Sequence, residues 1–310
     1  MKSSNIGGQA VMEGIMMRSG DQYSIGVRKP DGEIEVKVEP YRSWAKDSSI
    51  WKLPVFRGVA SFFESLVVGI RCLMYSASFI EDEEENAKKP GKEKTEEQKE
   101  KEEKWLMYGT MTFSVIFSIA LFIMLPYFLA GFLRNVTTSE GVIAVAEACV
   151  RMILFLGYLV LISRMKDIQR TFMYHGAEHK CINCVEHGLP LTVENVRNSS
   201  RQHKRCGTSF LFFVLAISII LLLLIRVESP LMRVVVRIVL LPVIAGVSYE
   251  VLKLAGNSDN PVVNLLSKPG MAIQKMTTSE PDDGMIEVAI QAVEAVFDWR
   301  AYERDNFHTS

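Results

Sequence analysis

The sequence predicts a mainly α-helical protein. Its elements are a polytopic membrane helix bundle of about four spans, an in-plane amphipathic helix, and a small α+β cytoplasmic part formed by the N- and C-terminal segments. Three observations lead there. Hydrophobic residues make up 48% of the 310. Two long stretches carry no charge. The ionic residues gather in one linker and one long connector. A formal net charge of −1 argues against nucleic acid as a partner, because neutralising phosphates needs a basic stripe. Cys72, Cys149, Cys181, Cys184 and Cys206 are irregularly spaced and do not read as a secreted disulfide framework. The opening MKSSNIGGQAVMEG lacks the apolar core of a signal peptide, so internal segments are expected to enter the membrane.

Residues 1–50 form an N-terminal cytoplasmic segment. Within it, 23–39 reads as two strands around the turn Pro30-Asp31-Gly32. Residues 51–80 carry a helix over 54–80. Arg57, Ser61, Glu64, Arg71, Tyr75 and Ser78 take one side and apolar residues take the rest. That apolar face is too wide for an ordinary surface helix. The helix is expected to lie in the membrane interface or dock on the bundle, with a fifth span as the rival reading. Arg57, Glu64 and Arg71, spaced seven apart, favour the in-plane version. Residues 81–104 are nearly all charged and predict a disordered or solvated-helical linker.

Residues 105–255 hold the bundle. The expected spans are 106–133, 141–163, 207–225 and 231–254, with Trp105, Tyr108 and Tyr127 suited to the interfaces. The cytoplasmic loop 164–206 carries Arg164, Lys166, Arg170, Lys180, Arg197, Arg201, Lys204 and Arg205. The other two connectors, 134–140 and 226–230, carry one arginine each. The positive-inside rule places the long loop, and with four spans both termini, in the cytoplasm, where cysteines stay reduced. Charges within spans need partners. Glu147 and Arg151 share a face of the second span, and Arg233 and Arg237 share a face of the fourth. Depth counting pairs Glu147 with Arg237, and fixing helix register is favoured over lining a substrate path. Pro126 and Pro242 are expected to bend their spans. In 256–310, NSDNPVVNLLSKPG is rich in turn formers. Residues 283–299 then carry a helical stripe, Ile286, Ala289, Ile290, Val293, Val296 and Phe297, expected to pack on the N-terminal part.

The chemistry-bearing motif is Tyr174-His175-Gly176-Ala177-Glu178-His179-Lys180. His175 and His179 lie one helical turn apart on one face, with Glu178 beside them. Such a pair can ligate zinc while the glutamate handles protons, and His-x-x-Glu-His is the order of an inverted zinc-protease motif. A third ligand is wanted; Glu13, Glu186, Glu194 and Glu250 are available, and nothing selects one. A competing set joins Cys181-x-x-Cys184 to His203-x-x-Cys206 as a structural zinc site. Both compete with purely structural roles, histidines bonded to carboxylates and Cys206 as the first buried residue of a span.

Three further stretches complete a pattern: Gly7-Gly8-Gln9-Ala10-Val11-Met12-Glu13-Gly14-Ile15-Met16-Met17-Arg18, Arg205-Cys206-Gly207-Thr208-Ser209-Phe210, and Pro269-Gly270 through Gln274, Thr277, Thr278, Glu280 and Pro281. With Tyr174–Lys180 they resemble the YqhQ-like family of bacterial membrane proteins of unknown function, whose members are described as metal-dependent enzymes. The resemblance implies signature positions at Glu13, Arg18, His175, Glu178, His179, His203 and Cys206. It makes His175, His179, His203 and Cys206 the expected ligands of a divalent metal, zinc by donor type, with Glu178 catalytic. Cys181 departs from the family pattern, which weakens the Cys181–Cys184 site. The expected setting is a bacterial cytoplasmic membrane, with lipid as a partner. The leading function is a metal-dependent hydrolase at the cytoplasmic face. The alternative is a scaffold or accessory factor bound to another membrane protein such as the translocation channel. A transporter, resting only on the buried charges, ranks third.

Overall fold

A computed structural model describes residues 3–43, 49–87, 96–225, 227, 229–256 and 260–307. The chain divides into two compact units, one of residues 1–83, 160–217 and 242–310, the other of residues 84–159 and 218–241.

The first unit is built on an antiparallel sheet of β1 (Gly7–Val11), β2 (Gly14–Ser19), β3 (Gln22–Arg28) and β4 (Ile34–Pro40), in sequential order. The β3–β4 hairpin is the expected one. Asp31 Oδ1 accepts the Glu33 N–H at 2.9 Å, and Gly32 takes φ +89°. The β1–β2 hairpin was not anticipated. It turns on Met12 and Glu13, with Glu13 at φ +49°. A Cβ on Gly14 would lie 2.2 Å from the Gly26 carbonyl oxygen, so only glycine lets these strands approach.

Side-chain alternation gives the sheet two apolar faces. Ile15 and Met17 face α5 (Lys166–Glu186) and α10 (Asp283–Glu294). Ile286, Ala289 and Val293 of α10 are fully buried there, and Ser24 Oγ donates to the Ala292 carbonyl at 2.6 Å. The C-terminal stripe thus packs on the N-terminal segment as expected. On the other face, Val11, Met16, Tyr23, Ile25 and Val27 meet Cys72, Val68, Tyr75 and Phe79 of α1 (Phe56–Ala87). The start of α1 packs elsewhere in the same unit. Arg57 pairs with Glu250, Gly58 abuts the backbone of Gly246, and Phe62 stacks on Phe210 at 5.8 Å.

The remaining helices are α2 (Glu96–Ile119), α3 (Leu125–Gly131), α4 (Glu140–Ile162), α6 (Val193–Asn198), α7 (Gly207–Leu224), α8 (Pro230–Gly256), α9 (Pro261–Thr277) and α11 (Trp299–Phe307). α9 corrects the reading of NSDNPVVNLLSKPG as a turn region. Asn260 caps the helix by accepting the Val262 N–H at 2.9 Å, and Pro261 occupies the first turn, where no N–H is needed. The supposed breakers are start signals. At its ends the charged linker is helical, the solvated-helical form of the expectation. Residues 81–87 finish α1 and 96–104 begin α2, while 88–95 lie outside the described residues.

In the second unit, a π-helical turn at Ala120–Met124 joins α2 to α3 just ahead of Pro126, which cannot donate to the preceding turn. Glu147 bonds Arg151 at 2.8 Å and Arg237 at 2.6 Å. Arg151 also donates to Ser218 at 3.2 Å, and Arg237 lies 4.3 Å over the Tyr127 ring. The depth count was right for this pair. The Arg233 side chain lies outside the described residues.

Among the described residues, four helices are long and apolar enough to cross a membrane: 56–80, 105–135, 140–162 and 234–256. Three coincide with expected spans. The fourth is the segment expected in the plane, whereas Gly207–Leu221 of α7, the expected third span, counts among the described residues as a shorter apolar helix.

Candidate metal centre

The centre is organised by α5. His175 and His179 meet edge to face, with ring centroids 4.4 Å apart and planes at 64°. Each ring uses Nδ1 for a backbone carbonyl: His175 to Thr277 at 2.9 Å and His179 to Arg201 at 2.7 Å. A carbonyl only accepts, so Nδ1 carries the proton in both, which leaves Nε2 as the nitrogen that can offer a lone pair. His175 Nε2 faces Cys206 Sγ at 3.2 Å, while His179 Nε2 is buried with no partner. Ligand atoms of His175, His179 and Cys206 all lie within 4.8 Å of one another. His175 is half-buried; His179 and Cys206 are buried.

The surroundings fix these donors. Lys180 donates to the carbonyls of Arg197 and Ser199, and Asn183 to those of Ser200 and Gln202, which straps the loop before Cys206 along α5. Gln274 of α9 is fully buried. It accepts the His203 N–H at 3.0 Å and donates to the His203 carbonyl at 2.7 Å and to Ser209 Oγ at 2.8 Å. Thr208 N–H donates to Cys206 Sγ at 3.3 Å. Gly176 allows the Ser279 backbone close in, since a Cβ there would lie 2.0 Å from the Ser279 carbonyl oxygen.

Glu178 is buried beside Gly8, whose missing side chain makes room for its carboxyl. Its Oε2 has no hydrogen-bond partner. Burial pushes its pKa up to about 7, against the opposing influence of His175 and the Gly8 N–H. A carboxyl of that pKa is matched to proton transfer near neutrality.

The chain matches the family described as "Protein of unknown function (DUF1385)" over residues 53–299. It belongs to that family. It is also similar to the "Uncharacterized protein YqhQ" of Bacillus subtilis (strain 168), 37% identical over 306 residues that cover 97% of this chain and 94% of the relative. No solved structure matches it.

Other residues singled out by motif or family resemblance have different positions. His203 Nε2 is engaged with Glu186 at 3.2 Å, and its ring centroid lies 6.0 Å from that of His179, so it stands beside the donor cluster. Cys181 and Cys184 belong to the apolar core. The Cys184 thiol donates to the carbonyls of Leu189 and Pro190, and burial holds both thiols above the usual range, Cys184 at about 11. Among the described residues Cys181 and Cys184 do not fall in a metal-binding group: on a helix, Cys-x-x-Cys here turns into the core. Glu13 pairs with Arg170 at the β1–β2 turn, and Arg18 lies 3.4 Å over the Tyr41 ring. Neither contacts the histidines.

Sequence reasoning named Glu186 only as one available third ligand, and it missed the network that Glu186 builds and the role of Gln274. Glu186 is fully buried and joins His203, Arg205 and Ser4, whose N–H and Oγ both donate to it at 2.8 Å. Burial alone would raise its pKa. Bonds from His203 and the Ser4 N–H, with the Arg205 charge, outweigh that and hold the carboxyl at about 2. The available signal was spacing: His179, Asn183 and Glu186 recur at i, i+4 and i+7 of one helix.

Proposed function

We propose that this is a multi-pass protein of the bacterial cytoplasmic membrane with a divalent-metal centre at its cytoplasmic face, acting in metal-assisted hydrolysis. The observation behind this reading is the convergence of His175, His179 and Cys206, with the His179 Nε2 lone pair buried and unpartnered. Two imidazoles and a thiol suit zinc, and three protein donors leave one tetrahedral position open, the pattern of catalytic sites. The Nδ1–carbonyl bonds are the outer support that metal-ligating histidines use. A bound ion would supply Lewis acidity and draw down the pKa of a water. Glu178, with its free Oε2, is the residue that holds or releases the proton.

Topology follows from a parity argument. β1, α5 and α10 share one core and so occupy one side of a bilayer. Between β4 and α5 the chain must then cross an even number of times. The candidates there are 56–80, 105–135 and 140–162. α1 is the one that stays, because its flank packs on the sheet. Between α5 and α10, the α8 crossing needs a partner. The 18 residues of α7 span about 27 Å, close to a hydrocarbon core. The eight basic residues of 164–206 favour the cytoplasm for this side.

Metal content of the detergent-purified full chain, measured by plasma mass spectrometry, tests the proposal. Near-stoichiometric zinc or another divalent ion is expected in the wild type, lost in His179→Ala and Cys206→Ala and retained in His187→Ala. A metal-free wild type after expression in metal-replete medium overturns it.

A further inference from the structure

α9 has two faces of opposite kind. Its inner face, including Gly270, Gln274 and Thr277, is buried against the segment that carries Cys206. At 3.6 residues per turn, Val262, Leu265 and Leu266 share the side that adjoins this face, where they are 64%, 61% and 59% exposed. Lys268 and Lys275, both exposed, border this apolar strip along one edge, and α9 contains no acidic residue. An exposed apolar strip edged by lysines is the pattern of a helix half-immersed in a membrane surface.

Chain continuity points to the same occupant. α9 starts five residues after Gly256, the end of an apolar helix long enough to span. The first turn of α7, itself apolar, meets α9 where Ser209 packs on Gly270. The end of α8 meets the same segment, with Arg205 packed on Gly256. The beginning of one apolar helix, the end of another and α9 therefore lie at one level.

We infer that α9 lies in the plane of the membrane, with Val262, Leu265 and Leu266 among the acyl chains and Lys268 and Lys275 on anionic headgroups. The same helix supplies the carbonyl that fixes His175 and the amide that fixes His203. The histidine–cysteine cluster consequently sits at headgroup depth, within one helix diameter, ~10 Å, of the acyl chains. Resting on the metal reading above, this makes the substrate an amphiphile that arrives laterally within the membrane. The placement of α9 does not depend on a metal.

Electron paramagnetic resonance on the full chain tests the placement. Val262→Cys, Leu265→Cys and Lys275→Cys are spin-labelled singly in a Cys149→Ser background, the other four cysteines being buried. The protein is reconstituted in phosphatidylcholine vesicles with and without phosphatidylglycerol. Collision with oxygen, relative to a water-soluble nickel chelate, should be severalfold higher at 262 and 265 than at 275. The ratio at 265 should rise with phosphatidylglycerol, and that rise should vanish in Lys268→Glu/Lys275→Glu. Nickel-accessible labels at 262 and 265 would mean a water-facing helix. Labels shielded from both reagents would mean a protein partner, such as a second copy. Either result overturns the inference. Chelator-treated protein should give the same ratios, so a failed metal reading and a failed membrane placement produce different results.

Discussion

Gly176→Ala is the sharpest single perturbation. In an exposed helix, alanine for glycine stabilises by about 1 kcal/mol. Here the new Cβ would lie 2.0 Å from the Ser279 carbonyl oxygen and 3.2 Å from its carbon, both backbone atoms. The strand-like segment after α9 must therefore retreat from α5. That breaks the Ser279 N–H bond to Phe172 and the His175 bond to Thr277, each 2.9 Å. Overpacking costs about 1–3 kcal/mol and each lost bond about 1 kcal/mol, so the net cost after the helix gain is about 2–4 kcal/mol. For a unit of this size the thermal midpoint falls about 2–4 °C per kcal/mol, giving a drop of about 4–16 °C. Intrinsic fluorescence of the detergent-solubilised protein reads the midpoint. Since His175 loses its carbonyl, zinc affinity should fall about 10–100-fold in a chelator competition. A variant as stable as the wild type would refute the close approach of Ser279 to α5 and the positioning role assigned to it.

Glu186 sets an acid limit. Its carboxyl is depressed in the folded state, so its stabilisation is complete above about 4.5, its ordinary value, and is lost as the pH falls toward about 2. Chelator-treated wild type should lose stability across that window, and Glu186→Gln should be less stable at neutral pH with a flatter acid profile; identical profiles would count against the network. Gln274→Leu leaves the His203 N–H and C=O unpaired and should lower stability by about 2–4 kcal/mol, measured by urea titration in mixed micelles. Within the second unit, Glu147→Leu strands two buried guanidiniums, whereas Arg237→Leu leaves the Glu147–Arg151 pair. The first should cost about 3–5 kcal/mol and clearly more than the second, and the reverse order of thermal midpoints would contradict the shared-carboxylate arrangement.

The parts of this molecule legible in its sequence are those where one residue's local preference coincides with its tertiary role. Pro30-Asp31-Gly32 announced a hairpin because Gly32 supplies the positive φ itself. The β1–β2 hairpin was silent, because its turn residue Glu13 adopts φ +49° without a glycine or asparagine signal. His175 and His179 could be read from spacing, as could the pairing of Glu147 with Arg237 from depth. The position of His203 could not, since it depends on Gln274 gripping its backbone from 71 residues away. The Cys-x-x-Cys spacing misled for a similar reason. Metal-site spacing and inward-facing spacing look alike on a helix, and only the packing around Cys181 and Cys184 separates them.

The sheet of the first unit begins at Gly7, and the helix that covers it is nearly the last to be made. Ser24 reaches Ala292 across 268 residues of chain. At ribosomal speeds of about 5–20 residues per second, the nascent hairpins wait roughly 13–54 s for α10. During that interval all the apolar helices between them are made. They therefore exist before the core of the first unit closes, and a chain truncated before residue 283 keeps Ile15 and Met17 without their α10 cover.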